Sequence, residues 1–448
     1  MNLLKDDVRS LYFRYFRSIF GSSIVVSVYS LVDSICIGQY EGPDGSSACA
    51  VMGPMWYIML AAGIMLGVGG SVLLAQNRGA GRNAEGNRYF TICTLTAVLV
   101  GIIIMVLFLR FMDPILTLSG ASDPQVRSLT AVYMRWISLA SPMFVLTRCL
   151  SPFVSNDGAP THAAAATIAG GVFNVFGDLF LVFGMDMGIE GAGIATAAGQ
   201  TVATLVMLSY LLRKKCTLRF DFSEASAIPR RLLLAVKTGA SSFLLDISLG
   251  ILGVIFNNQI MIWLGTDELA VYGVISNVQA FVIGAFYAVG DSAQPIMSQN
   301  YGAGQPGRIR EAMRYAAATA MVIGVCSYAV IFRFPLPITR VFMTMTDAVR
   351  AIAPMILRTY FAALLFMGFN ILASYFFQSV GRPVTALISS LLRGVVICGI
   401  LLLLLPPLFG GNVIWMTVPL SELAVLVLNL FLVRGRLTSL NKSGENVE

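Results

Sequence analysis

Two carboxylates, an amide and a hydroxyl occur within long apolar stretches of the sequence. Asp178 follows Asn174 by four residues, so a helix through this stretch places both side chains on one face. Asp33 and Thr196 belong to two other apolar stretches. Oxygen ligands of this kind suit a hard cation such as Na⁺, and two neighbouring carboxylates can instead share a proton. Each acid could also simply pair with a base or face water, so the elements that position these residues decide between the alternatives.

Composition predicts that those elements lie in a membrane. Of the 448 residues, 57% are hydrophobic and 12% are charged, whereas roughly 25% of the residues in soluble domains are charged. The apolar residues form runs such as 97–109 and 395–405. A helix rises about 1.5 Å per residue, so roughly 20 such residues cross the hydrocarbon core. We therefore expect an all-α integral membrane protein.

The apolar runs and the polar residues between them predict twelve transmembrane helices. We place them near residues 11–38, 46–75, 88–112, 127–153, 161–183, 189–212, 236–264, 270–299, 308–334, 348–378, 384–409 and 412–433.

Lys and Arg predict the orientation of these helices, because cytoplasmic loops of membrane proteins carry an excess of both. Most of the 30 Lys and Arg residues fall on one side of the membrane if both termini are cytoplasmic. No secretory signal is evident at the start of the sequence. The net charge of +7 follows from this topology, and we expect no nucleic-acid partner.

The sequence repeats itself at an offset of 223 residues. Residues 76–81 (QNRGAG) return as 299–304 (QNYGAG), and the same offset holds for pairs farther along the chain: Arg110 and Arg333, Pro114 and Pro337, Arg135 and Arg358, Gly158 and Gly381, Gly171 and Gly394. The offset carries six helices onto six and preserves their direction across the bilayer. We therefore expect two parallel-repeat six-helix lobes, 1–225 and 226–448, which expose a central cavity to each side alternately.

Depth within the predicted helices groups the four polar residues. Asp33, Asn174, Asp178 and Thr196 all lie at a similar depth in the outer half of the first lobe. At the repeat offset, Asn174 and Asp178 become apolar residues of the second lobe. Because only one lobe has the acids, we interpret them as a site for the coupling cation rather than as part of the scaffold.

The other charges within the predicted helices suit different roles. Arg393 and Glu422 share one depth in the last two helices, which predicts a salt bridge inside the second lobe. Asp246 and Asp291 also share a depth, in the seventh and eighth helices. They are candidates to contact a cationic substrate, although they could pair with Arg393 or face water.

The sequence has few of the motifs that are expected of an enzyme. No GxxxxGK[ST] phosphate loop is present, and the single histidine, His162, excludes a multi-histidine metal site. We expect His162 to be solvated in a cytoplasmic turn, and the seven scattered cysteines to be packing residues. We expect a non-enzymatic monomer with no cofactor besides its coupling ion, and with a small-molecule substrate and the lipid bilayer as its partners.

Several motifs resemble the multidrug and toxic compound extrusion (MATE) family. They are the repeated QNxGAG, the loop DGAPTHA, the stretches GGVFNVFGDLFLVFG and GIEGAGIATAAGQ, and in the second lobe QPIMSQNYGAG (294–304) and FFQSVGRP (376–383). The resemblance covers essentially the whole chain.

The resemblance implies an inner-membrane antiporter that expels cationic or amphipathic compounds in exchange for Na⁺ or H⁺. The cation site of the family matches Asp33, Asn174, Asp178 and Thr196, whereas Asp246 lies about a turn from the acidic position of some members and Asp291 is atypical. The alternative function is flipping of a lipid-linked precursor, as in relatives of the same superfamily. A flippase needs a strongly basic cavity, and the lobe interiors offer only Arg148 and Arg393, so we favour antiport.

Overall fold

A computed structural model describes residues 2–119, 123–223, 228–342 and 345–444. Throughout these ranges the regular structure is helical, without a strand. Fifteen α-helices follow one another: α1 Val8–Gly79, α2 Asn83–Arg110, α3 Met112–Leu118, α4 Pro124–Asn156, α5 Pro160–Asp178, α6 Gly188–Ser209, α7 Ile228–Trp263, α8 Thr266–Gly302, α9 Pro306–Arg333, α10 Pro335–Phe342, α11 Asp347–Phe361, α12 Leu364–Ser379, α13 Pro383–Leu391, α14 Ile397–Phe409 and α15 Thr417–Gly444.

Among the described residues, four irregular helical turns extend these helices. π-helical turns continue α5 (Leu179–Gly184) and join α13 to α14 (Leu392–Val396), and 3₁₀ turns continue α6 (Tyr210–Leu212) and precede α15 (Gly411–Met416). Helix α1 is interrupted at Gly42, whose φ of 69° and ψ of −149° are not helical. Only glycine adopts such a backbone at little cost, so Gly42 separates two helical segments of α1.

Ten helical segments of the described residues are long and apolar enough to cross a membrane. The first segment of α1 and helix α7 bring the number to twelve, as in the solved structures of similar fold. The predicted all-α membrane fold of twelve transmembrane helices in two lobes is therefore confirmed.

The chain forms two compact units. The first contains residues 1–2 and 17–243, and the second contains residues 3–16 and 244–448. The predicted lobes, 1–225 and 226–448, differ from these units in two segments. The N-terminal residues 3–16 pack with the second unit, where the Leu3 carbonyl accepts hydrogen bonds from Asn300 and Arg308. The first part of α7 packs with the first unit, where Gly239 and Gly69 make a close backbone contact.

The repeated QNxGAG motifs form the same helix ending in both units. Gly81 and Gly304 have positive φ values of 75° and 68°. The following residue then donates its backbone N–H to an asparagine carbonyl, Arg82 to Asn77 (2.8 Å) and Gln305 to Asn300 (2.9 Å). This left-handed ending satisfies helix carbonyls that would otherwise lack a donor.

The two remaining structural predictions have opposite outcomes. Arg393 and Glu422 form the expected buried salt bridge, with Nε 2.7 Å from Oε1, and Asn370 donates to the same carboxylate. The prediction for His162 is wrong, because its side chain is buried and Nε2 lies 2.8 Å from the carbonyl oxygen of Val206. The turn beside His162 packs against the end of α6, which the sequence alone does not reveal.

Candidate cation site

Glycines let α5 and α6 approach closely in the first unit. A Cβ atom on Gly170 would lie 2.7 Å from the carbonyl oxygen of Gly199, and one on Gly177 would lie 2.8 Å from Cβ of Ala195. A Cβ on Gly171 would lie 2.7 Å from the ring of Tyr29 in α1. These contacts leave no space for larger side chains. Short polar side chains on α1, α5 and α6 can therefore reach one another.

The structure brings the four predicted residues together in one chain of hydrogen bonds. Thr196 donates its hydroxyl to Oδ1 of Asp33 (3.3 Å). Asn174 donates from Nδ2 to the Thr196 hydroxyl (3.1 Å) and to Oδ1 of Asp178 (3.4 Å). Three helices thus supply two carboxylates, an amide and a hydroxyl to one place. Whether that place binds the coupling cation stays a prediction.

Two oxygens of this cluster are buried without a hydrogen-bond donor. Asp178 is fully buried and Asn174 is 3% exposed. Among the described residues, nothing donates to Oδ2 of Asp178 or to Oδ1 of Asn174. A buried carboxylate or amide oxygen without a partner is unfavourable, particularly when the carboxylate is charged. A cation or a proton at these oxygens would remove that cost, so the residues present fit a coupling ion.

A tyrosine that the sequence analysis did not predict completes the cluster. Tyr133 of α4 is buried and donates its hydroxyl to Oδ2 of Asp33 (3.1 Å). Both oxygens of Asp33 therefore accept hydrogen bonds, whereas Oδ2 of Asp178 accepts none from the described residues. A buried phenol in an apolar helix was the available signal, because buried tyrosine hydroxyls usually find a partner.

An acidic side chain also fixes one end of the site. Glu41 accepts a hydrogen bond from the backbone N–H of Ile189 (3.1 Å), in the first turn of α6. Tyr40 donates to the carboxylate of Asp186 (2.7 Å) in the turn before that helix. A carboxylate at a helix N-terminus satisfies a free N–H and interacts favourably with the helix dipole. These contacts hold α6, and hence Thr196, against α1.

The two candidate substrate residues lie outside this cluster. Asp291 is half-buried on α8 of the second unit. The side chain of Asp246, on α7, lies outside the described residues. Their predicted contact with substrate stays a prediction.

Comparison with known proteins defines the family. Residues 18–180 and 239–404 match the sequence model of the MatE family. Multidrug export protein MepA of Staphylococcus aureus (strain NCTC 8325 / PS 47) is 25% identical over 414 residues, which are 92% of this chain and 91% of that protein. MepA of Staphylococcus saprophyticus is 24% identical over 419 residues, 93% of this chain and 92% of that protein.

Solved structures show the same fold. A multidrug resistance MATE family transporter of the MOP superfamily, in an outward-facing conformation, superposes with a TM-score of 0.91 at 20% identity, over 98% of each chain. A MOP superfamily transporter from Pyrococcus furiosus superposes with a TM-score of 0.89 at 20% identity, also over 98% of each chain. The chain belongs to the MatE family, and it is a multi-pass membrane protein.

Proposed function

We propose that this chain is a cation-coupled antiporter that exports small amphipathic or cationic compounds in exchange for Na⁺ or H⁺. Relatives of similar length are multidrug export proteins. The observation that carries the coupling is the pair of buried oxygens, on Asp178 and Asn174, to which none of the described residues donates, next to the second carboxylate of Asp33. In a bacterial cell the chain lies in the inner membrane, with both termini cytoplasmic, and functions as a monomer.

The coupling follows from the cost of two carboxylates in one apolar lobe. Without a cation or proton, the carboxylates of Asp33 and Asp178 repel each other and one oxygen stays unsolvated. The lobe therefore favours one conformation when the ion is bound and another when it is absent. Linkage makes the affinity for substrate respond to the ion by the same factor as the affinity for the ion responds to substrate.

The test is export of ethidium from proteoliposomes that contain the purified full chain. Inward gradients of Na⁺ and of H⁺ are imposed separately, and efflux of the dye is followed by fluorescence. We expect one of the two gradients to drive efflux at least tenfold faster than no gradient. Equal efflux in all three conditions would contradict the proposal.

A further inference from the structure

The connection between α6 and α7 is fixed to the surface of the first unit. Its described part, residues 213–223, is called the linker below and contains no helix or strand. The backbone N–H of Thr217 donates to Oδ2 of Asp157 (2.9 Å), a carboxylate whose side chain is 1% exposed. Asp157 also pairs with Arg78, with Nη1 2.5 Å from Oδ1. One part of the linker is thus held at the turn that follows α4.

Two further contacts hold the linker along α2. The backbone N–H of Arg219 donates to Oδ1 of Asn87 (3.4 Å), and that of Asp221 donates to the hydroxyl of Thr91 (2.8 Å). The Asp221 carboxylate also pairs with Arg88, with Nε 3.4 Å from Oδ2. Asn87 and Thr91 are four residues apart and therefore lie on one face of α2. The linker follows that face in an extended conformation and directs alternate N–H groups at the helix.

The same face of α2 continues as a surface suited to lipid. Exposed apolar side chains follow Thr91 at spacings of three or four residues: Leu95, Leu99, Ile102 and Val106. Helix α2 has 28 residues, or about 42 Å, which matches the roughly 40–45 Å of a bilayer with its headgroups. Asn87 and Thr91 lie about 6 Å and 12 Å from the first residue of α2. The linker is therefore at the level of the headgroups and the edge of the hydrocarbon.

At this level the linker exposes two aromatic rings. Phe220 packs on Phe90 of α2 at 5.1 Å between ring centroids, and it stacks on Phe222 at 6.2 Å. Phe222 is nonetheless 69% exposed and Phe220 is 46% exposed. Exposed rings of this size are unfavourable in water, and aromatic side chains are enriched where lipid and water meet. The exposed rings therefore favour a membrane surface as the surroundings of the linker.

Basic side chains accompany these rings. The linker has four basic residues, Arg213, Lys214, Lys215 and Arg219, and all four are exposed. None of the ion pairs of the described residues includes them. Asp221, the one acidic residue of this segment, is paired with Arg88. Unpaired cations next to exposed rings at the membrane surface attract anionic headgroups.

The second half differs from the first at the corresponding place. At the offset of 223 residues, Asn87 and Thr91 correspond to Arg310 and Arg314 of α9. Both arginines are exposed. The residues that bind the linker backbone are therefore particular to the first unit. Arg310 and Arg314 supply a matched pair of exposed charges at the equivalent level of the second unit.

We infer that the linker binds an anionic phospholipid at the membrane surface beside α2. Phe220 and Phe222 lie next to the acyl chains, and Lys214, Lys215 and Arg219 meet the phosphate and the headgroup. Lys and Arg bind phosphate oxygens through charge-assisted hydrogen bonds, and basic segments next to a membrane helix prefer anionic lipids. This site is separate from the cation cluster and does not depend on the proposed antiport.

Photocross-linking in the bilayer tests the inference on the full chain. Benzoylphenylalanine, a photoreactive amino acid, replaces Phe222 in one variant and the lipid-facing Leu99 in a control variant. Both are reconstituted in vesicles of equal amounts of phosphatidylglycerol and phosphatidylcholine with identical acyl chains. Mass spectrometry after irradiation gives the ratio of the two lipids among the adducts. Phosphatidylglycerol should exceed phosphatidylcholine at least fivefold at position 222, and by less than twofold at position 99.

Charge variants in the same experiment identify the groups that bind the headgroup. Lys214→Gln, Lys215→Gln and Arg219→Gln, combined in one protein, should lower the ratio at position 222 below twofold. The control, Arg310→Gln with Arg314→Gln, should leave that ratio unchanged. A fivefold excess that persists in the triple variant, or an equal loss in the control, would overturn the inference.

Two further conditions distinguish a lipid from other partners. Sodium phosphate and KCl at equal ionic strength should lower the ratio at position 222 equally, because both screen the charges. A larger decrease in phosphate would overturn the inference in favour of a site for soluble phosphate. Adducts at position 99 without any lipid adduct at position 222 would place the linker in water and also overturn it. No ion gradient is imposed, so the result is independent of the antiport.

Discussion

The two halves of the chain carry the same backbone pattern but opposite chemistry at matching positions. At an offset of 223 residues, the four polar residues of the cation cluster correspond to Phe256, Ile397, Leu401 and Pro419. Phe256 is buried and stacks on Tyr272 at 5.0 Å between ring centroids. The position of a carboxylate in one half is thus an aromatic contact in the other. The repeat supplies the helices, and the first half alone supplies a polar site between them.

About one helical turn away from these positions the relationship is reversed, and the second half has the polar residues. Arg393 and Glu422, which form a buried ion pair, correspond to Gly170 and Gly199 in the first half. Those glycines are in backbone contact and bring α5 and α6 together. In the second half, a charge pair replaces this contact, and its charges satisfy each other. The buried oxygens to which no described residue donates are the ones that the proposed function assigns to the ion, whereas the paired charges of Arg393 and Glu422 stabilise the fold.

The largest effect that we predict concerns the two carboxylates of the first half, Asp33 and Asp178. Asp178→Asn should abolish gradient-driven ethidium efflux, because it removes the negative charge that the coupling ion neutralises. Asp33→Asn should do the same, and the double variant should be little worse than either, because the two carboxylates act as one unit. Efflux from proteoliposomes under the driving gradient, normalised to folded protein, is the measurement.

A carboxylate of the same type outside the cluster provides the control for these variants. The Asp113 side chain is 86% exposed, on α3, where it pairs with Arg127. Asp113→Asn should therefore export at the wild-type rate. Wild-type efflux by both cluster variants would remove this site from the mechanism and direct attention to Asp291.

The next effect concerns the stability that the buried ion pair of the second half provides. Glu422→Gln should lower the free energy of unfolding by about 3 kcal/mol, because it leaves the buried Arg393 without its counter-charge. Replacing both residues, Arg393→Met with Glu422→Leu, should recover most of that loss. Thermal unfolding of the purified protein measures both changes.

Activity distinguishes this pair from an ion site. Ethidium efflux per folded molecule should persist in the Arg393→Met, Glu422→Leu double variant, because the pair is structural. Efflux that disappears from a normally folded double variant would show that the second half also takes part in coupling.

Much of this architecture could be predicted from the sequence because it depends on counting. The length of the apolar runs determines how many helices can cross the membrane, and helix rise converts residue number into depth. Depth alone was enough to group Asp33 with Asp178 and to pair Arg393 with Glu422, as the structure has them.

Rotation of a helix and local irregularities could not be counted in this way. Tyr133 reaches Asp33 only because α4 is turned to face α1, which depends on packing against several helices. The predicted span 348–378 is in fact two helices, α11 and α12, which meet between Phe361 and Leu364. The π-helical turn after Asp178 also has no clear signal in the sequence, although such turns are frequent at functional sites.

A moderate effect is expected at the edge of the cluster. Tyr133→Phe removes the hydroxyl that donates to Oδ2 of Asp33 and leaves the ring in place. A hydrogen bond to a charged group contributes about 1.5–3 kcal/mol, so the affinity for the coupling ion should change by about tenfold or more. The ion concentration that gives half-maximal ethidium efflux measures this change. Tyr328→Phe, on α9 of the second unit, is the control and should leave that concentration unaltered.

The smallest predicted effect tests the part of the comparison in which the two halves are alike. Gly81 and Gly304 have positive φ, and a Cβ atom on either would meet no atom within 4 Å. Alanine at either position is therefore strained by its backbone alone, by about 1 kcal/mol. Gly81→Ala and Gly304→Ala should lower the free energy of unfolding by the same amount, within error. Gly307→Ala, in the first turn of α9 with equally open surroundings, should not lower it. Unequal losses at Gly81 and Gly304, measured by thermal unfolding, would mean that the halves differ in their scaffold as well as in their polar sites.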